Sequence, residues 1–162
     1  MANYKIEYID IAELTPFEKN PKVHPEGQIN KITKSIGEFG WTNPILAIRH
    51  NGKNIIIAGH GRVEAAKLAN MGEVPVIFLE LPYEKAMAYN LADNKLAELA
   101  EWDEQKLAEL IQGIDKELIS IIGFEDDEIS MLLDKLNNIV EDEVPTIQEA
   151  KSKYGDIFGL GA

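Results

Sequence analysis

Two glycines, a histidine and an arginine stand together at residues 59–62 of "IAGHGRVEAAKLANMG" (57–72), where an apolar strand gives way to an alanine-rich helix. A strand that turns sharply into a helix presents backbone N–H groups and the positive end of the helix dipole to whatever sits in the turn. Gly59 and Gly61 allow unusual backbone dihedrals and close approach of a ligand. Arg62 adds a forked cation suited to phosphate oxygens. His60 can donate a hydrogen bond or transfer a proton near neutral pH. Phosphate is the anion that suits all four features together. The local string also fits a ligand-free turn whose Arg62 pairs with a carboxylate, and taken alone it leaves both readings open.

A second cluster lies in "AMAYNLADNKLAEL", where Asn90, Asp93 and Asn94 are spaced i, i+3, i+4 and share one helix face. Short oxygen-bearing side chains there can hold a magnesium ion that bridges phosphates, or can simply face solvent. The loop string "EKNPKVH" supplies Asn20, Lys22 and His24, placed to close over a ligand or to cap the helix that follows. Other chemistries are excluded by their missing patterns. There is no GxxxxGK[ST] phosphate loop, no HExxH and no GxSxG. "GHGRVE" has Glu64 where a dinucleotide fingerprint needs its third glycine, and hairpin signals precede it in place of a βαβ layout. His50 belongs to a hairpin turn and is expected to face solvent. Trp41 is expected to pack on the core.

The elements that must position these residues are legible from periodicity and punctuation. Residues 4–9 alternate as an edge or half-buried strand, and the three prolines and one glycine of 15–27 make an extended loop. Ile29, Ile32, Ile36 and Phe39 form one stripe of a helix that stops at Gly40. "NPILAIRH" and "NIIIAG" are strands joined by Asn51-Gly52, a strong hairpin signal. A helix opens at about Arg62 and ends near Gly72; "VPVIFLE" is a further strand, and Pro82 starts a helix that runs to about 100. From 103 the pattern is helical only, over 103–113, 115–122 and 126–138. The expected organisation is an α+β domain over 1–100, an acidic helical extension over 101–139, and a linker with the start of a following domain over 140–162.

Charge is distributed unevenly. Residues 1–89 hold ten acids and ten bases, whereas 90–143 hold sixteen acids and four bases, so the net charge of −12 arises in the second half. A strong electrostatic footprint for DNA needs clustered Lys and Arg, which this chain lacks. Any DNA contact is therefore expected to be weak here or to come through another part of the full-length protein. With no cysteine, disulfides, thiolate zinc sites and cysteine nucleophiles are excluded. No apolar run approaches a membrane span, so no membrane partner is expected and the expected location is cytoplasmic.

In order, "NPKVH", "GWTNPILAIR", "IAGHGRVEAAK" and "AYNLADNKL" resemble the ParB/sulfiredoxin-like superfamily over about residues 5–97. The resemblance implies a small mixed sheet flanked by helices, a nucleotide partner such as CTP, ATP or ADP, and magnesium as cofactor. In partition-type ParB proteins the corner is G-E-R-R and binds the CTP triphosphate. Gly59 and Arg62 match it, while His60 and Gly61 replace its glutamate and first arginine. The resemblance thus implies Gly59, His60, Gly61, Arg62, Asn20 and Lys22 as the phosphate site. Asn90 matches the asparagine of the family's magnesium pair; Tyr89 replaces its glutamate, and Asp93 is the candidate substitute. Sulfiredoxins carry a catalytic cysteine where His60 lies, which rules that activity out. Free-serine kinase relatives have a G-H-x-R corner, which "GHGR" matches, and a glutamate base from an earlier segment. Glu18 and Glu26 are its candidates here, and with His60 they make phosphotransfer, nucleotidase or nuclease chemistry the alternative reading. Docking of a protein through the acidic helices is a third. The tail "SKYGDIFGLG" resembles the opening of a methyltransferase domain, so the chain is expected to front a phage or prophage DNA-modification methyltransferase. A homodimer is compatible with the resemblance.

Overall fold

The computed structural model describes residues 3–143. The tail string and the linker beyond 143 lie outside the described residues. Strands β1 (Ile6–Asp10), β2 (Leu14–Thr15), β3 (Ile45–His50), β4 (Lys53–Ala58) and β5 (Glu73–Phe78) form one sheet in the order β1-β5-β3-β4-β2. β1 runs antiparallel to β5 and β3 to β4, whereas β3/β5 and β2/β4 are parallel. Helices α1 (Glu26–Phe39), α2 (His60–Leu68) and α3 (Tyr83–Glu98) flank this mixed sheet, giving the α+β architecture expected from the sequence.

Alternation along the strands divides the core between the two sheet faces. On one face Ile45, Ala47, Ile56, Val74 and Val76 pack with Val63 and Ala66 of α2, each at most 2% exposed. Trp41 packs half-buried against this cluster, as its position predicts. On the other face Ile48 and Ile57 meet Ala86 and Tyr83 of α3. Each buried Ile or Val contributes roughly 1.5–3 kcal/mol relative to exposure, so the sheet between α2 and α3 is the rigid base of the site.

The chain divides into two compact units, residues 1–101 and the chain from 102 onward. The second contains α4 (Glu104–Gln112), α5 (Lys116–Ile119) and α6 (Asp126–Glu143). Its own core joins Leu107, Ile111 and Ile129, and Asp103 caps α4 by accepting from the Lys106 N–H at 3.1 Å. Among the described residues no helix is long and apolar enough to cross a membrane.

Several elements depart from the sequence expectation. β2 has only two residues, too few to show a period. Phe39 falls off the half-buried isoleucine stripe of α1 and is 53% exposed. The helix expected over 115–122 is the single turn α5, and α6 continues through 140–143, where a linker was expected. α2 opens two residues earlier than expected and ends before Gly72, because Asn70 takes the left-handed conformation (φ +53°). The Met71 N–H then bonds the Ala66 carbonyl and the Asn70 N–H that of Lys67, both at 3.0 Å, closing the helix end. His50 is half-buried with its ring stacked on Tyr83 at 4.6 Å, so it does not simply face solvent.

Candidate functional site

β4 ends inside the core at Ala58, and the next residue must reverse the chain into α2. Gly59 does this at φ +101°, a conformation that side-chain-bearing residues rarely adopt. Space forbids a side chain as well: a Cβ on Gly59 would lie 2.7 Å from Ile45 Cδ1 and 3.0 Å from Arg62 Nη2. A Cβ on Gly61 would lie 3.1 Å from both His24 Nδ1 and Ile32 Cδ1. No side chain caps the helix, and the first amide bonded back to the turn is that of Val63, which donates to the Gly59 carbonyl at 3.0 Å. The preceding helical amides thus keep their donors for another acceptor.

The corner opens on a cleft of about 180 Å³. Gly59, His60, Gly61 and Arg62 form one wall, Asn20 and Lys22 come from the 16–25 loop, and Asp93 comes from α3. Seven of the phosphate and metal candidates singled out in the sequence therefore meet at one place. His24, Gln28 and Ile32 also line it, and so does Asn94. Gln28 and Ile32, spaced i, i+4 on α1, share one face of that helix, a signal visible in the sequence.

Arg62 is the most informative member. Its Nη2 donates to the Pro44 carbonyl at 3.3 Å, and its Nε is buried with no partner. Burial lowers its pKa from the ordinary value, and the nearby Asp93 charge partly offsets this. Among the described residues no carboxylate forms an ion pair with it within 4.0 Å. A half-buried guanidinium with an unmet buried donor favours an anion beside it.

His60 has a narrower role than its type suggests. Its Nε2 accepts a hydrogen bond from the Phe17 N–H at 3.1 Å, so the ring proton resides on Nδ1. Burial, followed by the neighbouring His24, lowers its pKa from 6.5 to about 4, against a smaller opposing effect of Glu64. The ring is neutral at pH 7 and anchors the loop at Phe17. Proton transfer through Nε2 is not open to it in this arrangement; donation through Nδ1–H is. A depressed folded pKa means that the unfolded chain takes up the proton first. This contribution to stability is expected in full above about pH 6.5 and is lost progressively toward pH 4. Urea midpoints across that range should fall for the parent protein and fall less for His60→Gln. An identical fall in both would remove His60 as the cause.

The remaining candidates separate. Lys22 Nζ sits 2.7 Å from Glu98 Oε1, an exposed pair that holds the Glu98 carboxyl below its usual range. Asn90, 1% exposed, donates from Nδ2 to the Ile57 carbonyl at 2.7 Å and lies 3.5 Å from Asn20 Oδ1. It clamps α3 to the end of β4 and is not on the cleft wall, although its Oδ1 is buried without a partner. Asp93 is exposed, accepts from the Tyr89 hydroxyl at 3.4 Å and does line the cleft. Among the described residues no three His, Asp or Glu gather to hold a metal. Among the described residues Asp93 is the one carboxylate on the cleft wall, and it is the side chain that would hold a magnesium ion there. Glu26 opens α1 and borders another hollow with Glu64 and Lys67, and Glu18 is exposed and absent from the cleft wall. Neither glutamate lines the cleft, so the base role drawn from the kinase resemblance has no glutamate in place. A larger, shallow hollow of about 540 Å³ lies at Lys5, Glu7, Arg49 and Phe78. Its arginine is already paired with Glu7 at 2.8 Å and stacked over Phe78, so the chemistry favours the smaller cleft.

Comparison with known proteins follows the same boundary. The ParB N-terminal domain family matches residues 1–95, a segment that holds the whole sheet, the corner and most of α3. The ParB-like nuclease domain-containing protein YnaK of Escherichia coli (strain K12) is 47% identical over 75 residues, covering 46% of this chain and 83% of that protein. The probable chromosome-partitioning protein ParB of Helicobacter pylori is 34% identical over 94 residues, which cover 57% of this chain. The match spans only 32% of that partition protein. The C-terminally truncated ParB of Caulobacter crescentus, solved with CTP-gamma-S, has the same fold at a TM-score of 0.66. That likeness covers 94% of this chain and 87% of the other at 18% identity. Because the match takes in the strands that build the corner as well as the corner itself, the chain belongs to the ParB N-terminal domain family.

Proposed function

We propose that the cleft binds the phosphate groups of a nucleoside di- or triphosphate, with magnesium, and that the chain is a nucleotide-binding module of the ParB type. The observation that carries this reading is the buried, unpartnered Nε of Arg62 beside the uncapped start of α2. The solved ParB relative complexed with CTP-gamma-S supports it. The amides of residues 60–62 and the Arg62 fork donate to phosphoryl oxygens, and His60 adds its Nδ1–H. Lys22 contributes by exchanging Glu98 for phosphate. Magnesium, when bound, neutralises phosphate charge, and Asp93 is the side chain that would hold it. Binding is favoured over phosphotransfer because neither candidate glutamate base lines the cleft.

Thermal unfolding with CTP, ATP, ADP or S-adenosylmethionine, each with and without magnesium, tests the reading. A nucleoside phosphate at about 100 times its Kd is expected to add roughly 2.7 kcal/mol. S-Adenosylmethionine should add nothing. Asp93→Ala, an exposed change, should remove the magnesium-dependent part alone. No shift with any nucleotide would refute the proposal.

The proposal extends to context: the module fronts a DNA-modification methyltransferase in the cytoplasm and leaves DNA contact to the full-length protein. The likeness of "SKYGDIFGLG" to a methyltransferase opening supports this, as does the net charge of −12. Reading the gene beyond residue 162 tests it.

A further inference from the structure

The helical unit from 102 onward carries large apolar side chains that its own core does not use. Among the described residues its core cluster joins Leu107, Ile111 and Ile129, and neither Trp102 nor Met131 belongs to it. Trp102 is 70% exposed and Met131 63%. The Trp102 ring lies tilted on Phe124, with centroids 5.8 Å apart. Together with Met131 and Leu132 they line an open groove of about 250 Å³ between α4 and α6. Side chains of this kind, left in water around one depression, mark a surface that meets a partner.

Spacing and charge say which partner fits. The α6 residues on the groove, Glu128, Met131, Leu132 and Lys135, fall at i, i+3, i+4 and i+7, so the groove follows about two turns of one helix face. An occupant lying along that face as a helix satisfies its own backbone hydrogen bonds and offers apolar side chains at the same spacing. Charge sets its other face. Residues 102–143 hold thirteen acids and three bases. Two of those lysines are already engaged, Lys135 with Glu104 at 2.7 Å and Lys106 with Asp103 at 3.1 Å. The field around the groove is therefore negative, and it draws a cationic partner.

We propose that this groove docks a basic amphipathic helix of a partner protein, its apolar side chains against Trp102, Phe124 and Met131 and its lysines and arginines facing the acids of the unit. The proposal stands on the helical unit alone and does not depend on the nucleotide cleft.

Binding of three synthetic helices of about four turns to the full chain tests it, read by the anisotropy of a dye on each peptide. The first has leucine at i, i+3, i+4 and i+7 with lysine elsewhere. The second replaces its lysines by glutamate, and the third replaces its leucines by glutamine. The first should bind on the order of tenfold more tightly than either of the others, and added salt should weaken it. Trp102→Ala and Met131→Ser should each weaken it on the order of tenfold. Leu110→Ser, at an apolar side chain 65% exposed and off the groove, should change nothing. Circular dichroism controls for folding. Trp41→Phe leaves Trp102 as the one tryptophan. In that variant acrylamide should quench the emission freely, and the first peptide should shift the emission to the blue and protect it. A first peptide that does not bind, a second or third that binds as well, groove variants that bind like the parent, or a Leu110→Ser loss as large as theirs would each overturn the proposal. So would a Trp102 already shielded without peptide, which would mean that this chain or a second copy covers the groove.

Discussion

Arg62→Ala is expected to abolish the stabilisation conferred by a nucleoside phosphate while leaving a folded protein. In the structure the guanidinium has one long hydrogen bond, to the Pro44 carbonyl at 3.3 Å, and a buried Nε that meets no acceptor. Its contribution to the ligand-free fold is therefore small. Truncation costs the Pro44 bond, about 1 kcal/mol, and removes a half-buried cation whose Nε is unmet. Its contribution to the loaded state is large, because a forked donor on phosphate in a partly dry cleft makes charge-assisted bonds that water does not readily replace. Calorimetric titration alongside thermal unfolding checks both halves. Unchanged affinity would show that the amides at the start of α2 hold the anion without the side chain. Arg62→Lys should recover charge without the fork and so regain only part of the affinity.

Gly59→Ala should be the most damaging single-methyl change at the corner. A φ of +101° with a side chain costs roughly 1–2 kcal/mol. The added Cβ also meets Ile45 Cδ1 at 2.7 Å, and Ile45 is fully buried, with no room to withdraw. Overpacking of that kind costs about 1–3 kcal/mol, so a total of about 2–5 kcal/mol is expected from urea unfolding. Gly61→Ala is the control. Its backbone is helical, and its contacts, His24 Nδ1 and Ile32 Cδ1 at 3.1 Å, are half-buried side-chain ends that need yield only a few tenths of an ångström, although His24 Nδ1 is held to Gln28 Oε1 at 2.9 Å. Its loss should be clearly smaller. The reverse order would mean that backbone conformation at 59 matters less than packing against α1.

The features legible in the sequence were those written locally. Asn51-Gly52 announced the β3–β4 hairpin, and both residues take positive φ, +49° and +73°. The glycine corner was legible because a sharp strand-to-helix turn demands residues of that type. What the sequence hid depends on contacts distant along the chain. His60 looked like a proton-transfer group, and only the fold shows its Nε2 engaged by the Phe17 amide. Asn90 and Asp93 share a helix face by spacing, yet β4 draws Asn90 inward to the Ile57 carbonyl and leaves Asp93 at the cleft. Glu26 was a plausible base by position alone, and the first turn of α1 points it to a different hollow. β2 is held by register with β4 and has no pattern of its own.

The sheet's strands also differ in how far along the chain they must travel to find a neighbour. β3 and β4 are joined through two residues and can zip together within microseconds of chain collapse. β1 reaches β5 only by closing a loop of roughly seventy residues, since Ile6 lies opposite Ile77. That late-arriving strand is an edge bonded in the sheet to β5 alone, so its departure leaves the β5-β3-β4-β2 ladder in place. Opening of residues 6–10 in the native state should therefore stop short of the hairpin on which the corner is built.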